Sequence, residues 1–196
     1  MGQHLSQLYS EHSSIAAVLG ALSSLVKEVR DHGRQVNPEA FRAIVYYLDV
    51  FPEREHHHIE ETVLFPRIRQ RTHAADDVLD QLTAEHALGE RAIRDLEQAF
   101  VRYEERGASE FPAFAAAAEV YVDRYRDHMR TEEERVMPIA ERVLVADDWA
   151  AVEAAFASHR DPLQGVGSET DADTLFQRIV MLVPAPYGLG AAIDSE

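Results

Sequence analysis

Residues 56–66 read HHHIEETVLFP, and residues 128–138 read HMRTEEERVMP. Both stretches place a glutamate four residues after their first histidine and a proline ten residues after it. Side chains four residues apart lie on the same face of an α-helix, one turn from each other. Each stretch therefore predicts a helix that directs one imidazole and one carboxylate toward a common point.

Four long segments, which include these two stretches, carry apolar residues at alternating spacings of three and four. This pattern is typical of the buried seam of a helix in a bundle. The segments extend from Leu5 to about His32, from Asn37-Pro38 through Val63, from Leu79 to Gly107, and from Ser109 to Val143. Short connections between them favour antiparallel neighbours. We therefore expect an all-α protein with an up-down-up-down antiparallel four-helix bundle over residues 1–145, its second helix kinked at Pro52.

The character of the sequence changes after residue 145. We predict that residues 146–196 form a helical C-terminal extension packed on the bundle. A short helix is expected from Asp148 to Ser158 and a last helix from Asp171 to Val183, with a loop over residues 161–167 between them. Prolines and glycines from Pro184 onward predict a loose tail.

The amino-acid composition excludes several kinds of metal site and argues against several kinds of partner. The 196 residues include no cysteine, so disulfides, iron–sulfur clusters and thiolate zinc sites are excluded. A formal net charge of -16 argues against partners such as nucleic acid or an anionic membrane surface, because both are negatively charged. The polar start resembles no signal peptide, and no stretch is long and apolar enough to span a bilayer. We expect a cytoplasmic protein.

Each of the four apolar seams is interrupted by one histidine: His12, His56, His86 and His128. Burying an imidazole costs free energy unless the ring is bonded to a partner. A single buried histidine is usually an ordinary hydrogen-bonded core residue. Four on four seams, two of them followed in register by Glu60 and Glu132, predict a metal site instead. Nitrogen and oxygen donors without sulfur suit iron or manganese better than a structural zinc cage.

The candidate ligands also repeat along the chain. The pair Glu11-His12 recurs as Glu85-His86, just as residues 56–66 recur as residues 128–138. This repetition indicates one helix pair used twice around a pseudo-twofold axis. Two equivalent half-sites related in this way would form a dinuclear centre.

The second helix leaves an ambiguity, because His57 and Glu61 have the same spacing as His56 and Glu60. Alignment of the two repeats on their prolines favours His56 and Glu60. His57 and Glu61 would then lie about 100° further round the helix, as supporting residues outside the ligand set. We predict Tyr121 and Tyr125 to be core aromatics that line the site. The remaining candidates are predicted to be surface residues: His4, His32, His73, His159, Glu53, Glu55, Glu133 and Glu134.

The order EH, HxxxEExxLFP, EH and HxxxEExxxxP resembles the hemerythrin-like HHE cation-binding domain, over about residues 1–145. The resemblance implies a bundle that holds two iron ions, bridged by an oxo or hydroxo oxygen and by two glutamates. Manganese or zinc would be accepted by the same donors. Carried over to this chain, the implied metal ligands are His12, His56, Glu60, His86, His128 and Glu132.

Two departures separate this chain from the oxygen-carrying hemerythrins that it resembles. Those proteins have a further histidine one turn after the third-helix ligand, where this chain has Glu90. Their last motif places an aspartate five residues after the histidine, where this chain has Glu132 at four. The departures favour members of the family linked to nitric oxide, oxidative stress, iron handling or sensing.

Three functions follow as hypotheses. The first is a di-iron protein that meets a small diatomic ligand, O2 or NO, or peroxide, as a sensor, scavenger or iron donor. The second is an oxidoreductase or peroxidase that uses the same metals. The third is an interaction module without metal, whose acidic surface binds a basic partner. The pattern favours the first hypothesis and predicts no oligomeric state.

Overall fold

The computed structural model describes residues 5–158 together with Ile179, Met181 and Val183. In this part of the chain every regular element is helical and no strand is present. The α-helices are α1 (Ser6–His32), α2 (Pro38–Leu48), α3 (His57–Ile59), α4 (Phe65–Arg71), α5 (Asp76–Arg106), α6 (Phe111–Thr131), α7 (Met137–Val143) and α8 (Ala146–Ser158). Three π-helical segments, π1 (Asp49–His56), π2 (Glu60–Leu64) and π3 (Glu132–Val136), and a 3-10 turn (Gly107–Glu110) lie between them.

These elements build four bundle helices. The first is α1 and the third is α5, whereas the second runs without a break over residues 38–71 and the fourth over residues 111–143. The predicted all-helical, four-helix architecture is confirmed. None of the helices in the described residues is long and apolar enough to cross a lipid bilayer.

The ends of the first two bundle helices follow known capping chemistry. Gly33 ends α1 in the left-handed conformation, with φ of 64°, which glycine adopts without steric cost. Its backbone N–H and that of Arg34 bond back to carbonyls of the last turn. The side chain of Asn37 accepts a hydrogen bond from the backbone N–H of Glu39 at 3.0 Å, and Pro38 occupies the first helical position.

The positions of the three π-helical segments follow from nearby prolines. Pro52, predicted to kink the second bundle helix, lies inside π1, and the helix continues through it. Pro66 and Pro138 lie two residues after the ends of π2 and π3, as the second residues of α4 and α7. A proline has no N–H to donate to the preceding turn, and a π-helical bulge relieves that mismatch without ending the helix. The π-helical segments include His56, Glu60 and Glu132, and His57 directly follows the first of them.

Two apolar clusters fill the bundle. The large cluster includes Leu19, Phe41, Ile93 and Phe114, and the small cluster includes Leu8, Phe65, Leu82 and Val136. Along α1 and α5 the chain passes from the small cluster to the large one, and along the other two bundle helices it passes back. The order of buried residues in the sequence therefore reflects the up-down-up-down arrangement directly.

The C-terminal extension contributes to both clusters. Trp149, Val152 and Phe156 of α8 belong to the small cluster, and Ile179 and Val183 belong to the large one. The short helix predicted from Asp148 is α8. Apart from residues 179, 181 and 183, the predicted last helix lies outside the described residues, as do the loop over residues 161–167 and the tail. The division into two units at residue 145 stays a prediction.

Candidate metal centre

A layer of buried polar side chains separates the two apolar clusters. Each bundle helix contributes to it where the chain leaves one cluster and enters the other. Its central members are His12 from α1, His56, His57 and Glu60 from the second bundle helix, His86 from α5, and His128 and Glu132 from the fourth. All seven are at least 95% buried. Burial of so many ionisable groups is unfavourable unless they are bonded to one another or to an ion.

The polar layer contains two groups of ligand atoms. One group unites His12, His56, Glu60 and Glu132, and the other unites His57, Glu60, His86 and His128. Within each group the nitrogen and oxygen atoms lie within 4.8 Å of one another, which is compatible with one metal ion per group. Glu60 belongs to both groups. The structure thus brings together all six residues selected from the sequence, and it adds His57.

Each of the two glutamates faces both groups through different oxygens. Glu60 presents Oε1 to Nε2 of His56 at 3.4 Å and Oε2 to Nε2 of His86 at 3.6 Å. Glu132 presents Oε2 to Nε2 of His12 at 3.3 Å and Oε1 to Nε2 of His128 at 3.3 Å. A carboxylate that addresses two points in this way can bridge two cations.

Four histidines are oriented by carboxylates at their outer ring nitrogen, Nδ1. The pairs are His12 with Glu133 (2.9 Å), His56 with Glu11 (2.8 Å), His86 with Glu61 (2.7 Å) and His128 with Glu85 (3.0 Å). An ionised carboxylate only accepts hydrogen bonds, so Nδ1 carries the proton in each pair. When such a ring is neutral, the lone pair of its Nε2 faces the centre, which is how metal-binding histidines are commonly held.

These four pairs obey the pseudo-twofold repeat. Glu11 precedes His12 and Glu85 precedes His86, and each of these glutamates supports the histidine of the following bundle helix. Glu61, which follows Glu60, accepts from His86 of the third bundle helix. Glu133, which follows Glu132, accepts from His12 of the first.

Several buried polar atoms of the layer have no hydrogen-bond partner among the described residues. They are Nε2 of His12, Nδ1 of His57, Oε2 of Glu53, Oε2 of Glu60 and both carboxylate oxygens of Glu132. Buried polar atoms are almost always satisfied in proteins, so an unsatisfied set that converges needs an explanation. A cation between the lone pairs would satisfy them, and the donor set fits that role.

The pKa values of the buried glutamates and histidines are set by burial and by the charges of their neighbours in the layer. Burial and the neighbouring charge of Glu132 raise the pKa of Glu60 well above its usual value. Burial opposes ionisation of Glu132 too, but His128 and His12 hold its pKa well below the usual value. Burial likewise disfavours the His128 imidazolium, yet Glu132 and Glu85 raise its pKa to about 10. In the absence of metal these shifts favour protons at Glu60 and His128, so protons and a metal ion compete for the same side chains.

One expectation about the surroundings of the layer is wrong, and another is incomplete. Glu53, predicted to be on the surface, is 6% exposed and accepts a hydrogen bond from the Tyr121 hydroxyl at 2.7 Å. Burial raises the pKa of Glu53 to about 7. Glu133, predicted to be solvated, is half-exposed and supports His12. Neither contact is readable from one helix alone, because each partner lies on a different helix.

Other expectations about single residues are confirmed. His32, His73 and Glu134 are exposed, and Glu55 is partly exposed. His4 and His159 lie outside the described residues. Tyr121 and Tyr125 are buried core aromatics, and the Tyr125 hydroxyl lies 2.8 Å from Nε2 of His57.

His57 was expected to support the site from outside the ligand set, yet it lies within the second group of ligand atoms. Its ring stacks on that of His86, with centroids 3.9 Å apart. The run of three histidines was the only signal in the sequence, and helical spacing excluded His57 from the seam. The π-helical segments on either side of α3 change the angular step between residues, which brings two consecutive histidines inward.

Comparisons with known proteins agree with this geometry. No curated protein and no solved structure gives a significant match to the chain. Among protein families, the Hemerythrin HHE cation binding domain matches residues 3–140, which include all seven residues of the two groups. The chain therefore belongs to the hemerythrin HHE cation-binding family.

Proposed function

We propose that the polar layer holds two iron ions, bridged by Glu60 and Glu132. His12 and His56 would bind the first ion, and His86 and His128 would bind the second. The observation that carries this proposal is the convergence of buried nitrogen and oxygen atoms that have no hydrogen-bond partner. A set of this kind is unfavourable in a protein interior unless a cation completes it.

The donor chemistry supports iron. Imidazole and carboxylate are the usual ligands of non-haem iron, and the absence of cysteine removes the thiolates that favour zinc or iron–sulfur clusters. Manganese and zinc are accepted by the same donors, so the identity of the metal is part of the proposal and of its test.

We further propose His57 as the terminal ligand that completes the second half-site. The oxygen-carrying hemerythrins have a histidine one turn after the third-helix ligand, and this chain has Glu90 there, a largely exposed side chain. His57 approaches the same half-site from the second bundle helix instead. In the repeat, Met129 occupies the position that corresponds to His57, so the first half-site gains no third histidine. The first half-site would therefore have two histidines and the second would have three.

We propose that the metal centre binds or reacts with O2, peroxide or nitric oxide, and that the protein acts in sensing, stress response or iron handling. Two iron ions at this site would supply one- and two-electron chemistry toward such molecules. The protein holds the donor atoms in place through four supporting carboxylates, and an apolar cluster lies on each side of the polar layer along the bundle. These features favour binding and controlled redox chemistry of a small ligand over turnover of a large substrate.

The direct test is metal analysis with the visible spectrum of the oxidised protein, produced with iron supplied. We expect about two iron ions per chain and visible absorption that disappears on reduction and chelation. A preparation with well under one metal ion per chain would overturn the proposal.

A matched pair of variants tests the site. We expect His56→Ala to lose metal while it keeps its helical content, because the helix continues on both sides of that residue. His73→Ala, which removes an exposed histidine, should bind metal like the wild type. Unchanged metal content in His56→Ala would show that the polar layer is not where metal binds, and would leave the interaction module as the better interpretation of the buried histidines.

A peroxidase or other oxidoreductase is the second candidate. The observation in its favour is the pair of buried tyrosines, since the Tyr125 hydroxyl contacts His57 and the Tyr121 hydroxyl donates to Glu53. Tyrosines so close to a redox centre can carry electrons and protons. Steady-state reduction of peroxide with an electron donor, lowered in Tyr125→Phe but not in Tyr103→Phe, would favour the enzyme. No turnover in the iron-loaded wild type would exclude it.

A further inference from the structure

The two half-sites differ in how they meet solvent. On the first side, α8 covers the layer, and the ring of Phe156 packs at 6.0 Å from the ring of His56. On the second side, a cleft of about 530 Å³ opens between the second bundle helix and α5. His57 and His86 of the second group line the inner part of this cleft.

The cleft is acidic. Five carboxylates line it, against two guanidinium groups: Asp49, Glu53, Glu61, Glu90 and Glu97 against Arg54 and Arg94. Both arginines already pair with cleft carboxylates, Arg54 with Asp49 at 2.6 Å and Arg94 with Glu90 at 3.8 Å. The remaining negative charge attracts cations and repels anions at its mouth.

Glu53 marks the inner end of the cleft. Its Oε1 accepts from the Tyr121 hydroxyl, whereas its Oε2 is buried, accepts no hydrogen bond and lies 3.4 Å from Nδ1 of His57. The same carboxylate also lines a small cavity of about 20 Å³ beside His128. Glycine at position 89 leaves it room, because a Cβ there would lie 2.7 Å from Oε2.

We propose that this cleft is the route by which divalent first-row cations reach the metal centre, and that Glu53 binds each ion briefly before it passes to the histidines. The proposal rests on the dinuclear centre proposed above. Exposed carboxylates at the mouth raise the local concentration of cations, and the unsatisfied oxygen of Glu53 offers the next ligand inward. Neutral diatomic molecules are not steered by this field, so the cleft selects for the metal.

The role of the carboxylates at the mouth of the cleft is tested by the rate at which the protein takes up metal. Metal-free, full-length protein is mixed with Co²⁺, and the visible absorption of bound Co²⁺ is followed in a stopped-flow instrument. The double variant Glu90→Gln/Glu97→Gln removes two charges from the cleft side of α5. Its matched control, Asp95→Asn/Glu105→Gln, removes two charges from the same helix outside the cleft.

We expect the cleft variant to load about threefold to tenfold more slowly than the control at low salt, with the difference shrinking as salt screens the charges. Both variants should reach the wild-type stoichiometry, since neither removes a proposed ligand. Equal loading rates for the two variants would overturn the proposal. Wild-type protein that binds no Co²⁺ at any concentration would overturn the metal centre itself, which is a different result.

Glu53 is tested separately with Glu53→Gln, which keeps an acceptor for Tyr121 but removes the charge. We expect uptake at least about tenfold slower than in the wild type, even at saturating Co²⁺ and at high salt, because the inner step is then limiting. Helicity and final stoichiometry should be unchanged. Wild-type uptake kinetics in Glu53→Gln would show that ions bypass this carboxylate.

Discussion

At the scale of single residues, the supporting carboxylates decide how well the histidines are oriented. Glu133 accepts from Nδ1 of His12, whereas its neighbour Glu134 is exposed. Loss of such an outer partner typically weakens metal binding by 10- to 100-fold. Glu133→Ala should therefore bind Co²⁺ or Fe²⁺ about 10- to 100-fold more weakly than Glu134→Ala, in competition titrations with a chelator of known affinity. Equal affinities would show that Glu133 is only a surface residue.

The buried carboxyl of Glu53 predicts a pH dependence of stability in the metal-free protein. Burial raises its pKa from an ordinary 4.5 to about 7, so the folded state binds the proton more tightly than the unfolded state. The stabilisation is present below about pH 4.5 and is lost as the pH rises through about 7. Glu53→Gln has no such proton to lose.

We therefore expect Glu53→Gln to gain about 2 kcal/mol of unfolding free energy relative to the wild type between about pH 5 and pH 8. Urea unfolding of the metal-free proteins at both pH values measures the difference. Glu105→Gln, on the exposed end of α5, is the control and should track the wild type. A variant that differs from the wild type equally at both pH values would contradict the buried, protonated carboxyl.

The sequence predicted part of the site at this scale. Seam positions and the i, i+4 rule placed six residues at one point, because regular helix geometry is enough for that. They left His57 outside the ligand set, although it lies in the second group of ligand atoms, and they put Glu53 on the surface, although it is buried. Helical periodicity gives the face of a residue only while the step is regular, and a π-helical turn lies on each side of α3. The partner of Glu53 is Tyr121, which is 68 positions away on another helix.

At the scale of elements, the carboxylate of Asp148 adds polar contacts to the apolar packing that holds α8 on the bundle. Asp148 accepts from Nε and Nη2 of Arg71 at 2.7 and 3.2 Å and from the backbone N–H of Val145 at 3.0 Å. The last contact caps the helix, and the others tie it to α4. The only tryptophan of the chain, Trp149, follows directly and is buried.

Asp148→Ala should therefore weaken the docking of α8 by about 1–2 kcal/mol. We expect a red shift of Trp149 fluorescence at lower urea than in the wild type, together with faster amide exchange along α8. Asp147→Ala removes an exposed aspartate one residue earlier and is the control. Identical transitions for the two variants would show that apolar packing alone holds the helix.

The limits of the bundle helices were predictable because they depend on local chemistry. Gly33, Asn37-Pro38 and Gly107 mark ends that capping rules identify. The π-helical segments were not predicted, although Pro52 indicated an irregularity in the second bundle helix. Whether a proline kinks a helix or is absorbed in a π-helical bulge depends on packing around it, which a single helix does not encode.

At the scale of the whole molecule, a polar layer divides the core into two apolar clusters. The layer contributes no hydrophobic stabilisation and collects like charges, so its stability depends on what fills it. An ion that binds only the folded state stabilises it by about 2.7 kcal/mol when its free concentration is 100 times its dissociation constant.

Removal of metal should accordingly lower the midpoint of thermal unfolding by about 5–10 °C. The comparison is between iron-loaded protein and the same protein after chelation and dialysis, monitored by circular dichroism. His56→Ala should respond much less to chelation, whereas His73→Ala should respond like the wild type. Equal midpoints with and without metal in the wild type would contradict a metal-dependent core.

The most direct test is a crystal of the iron-loaded protein measured on both sides of the iron absorption edge. We predict two anomalous peaks in the polar layer, one within the group of His12 and His56 and one within the group of His86 and His128, with Glu60 and Glu132 between them. Crystals that show no iron peak there, or iron bound only at surface carboxylates, would contradict the dinuclear centre.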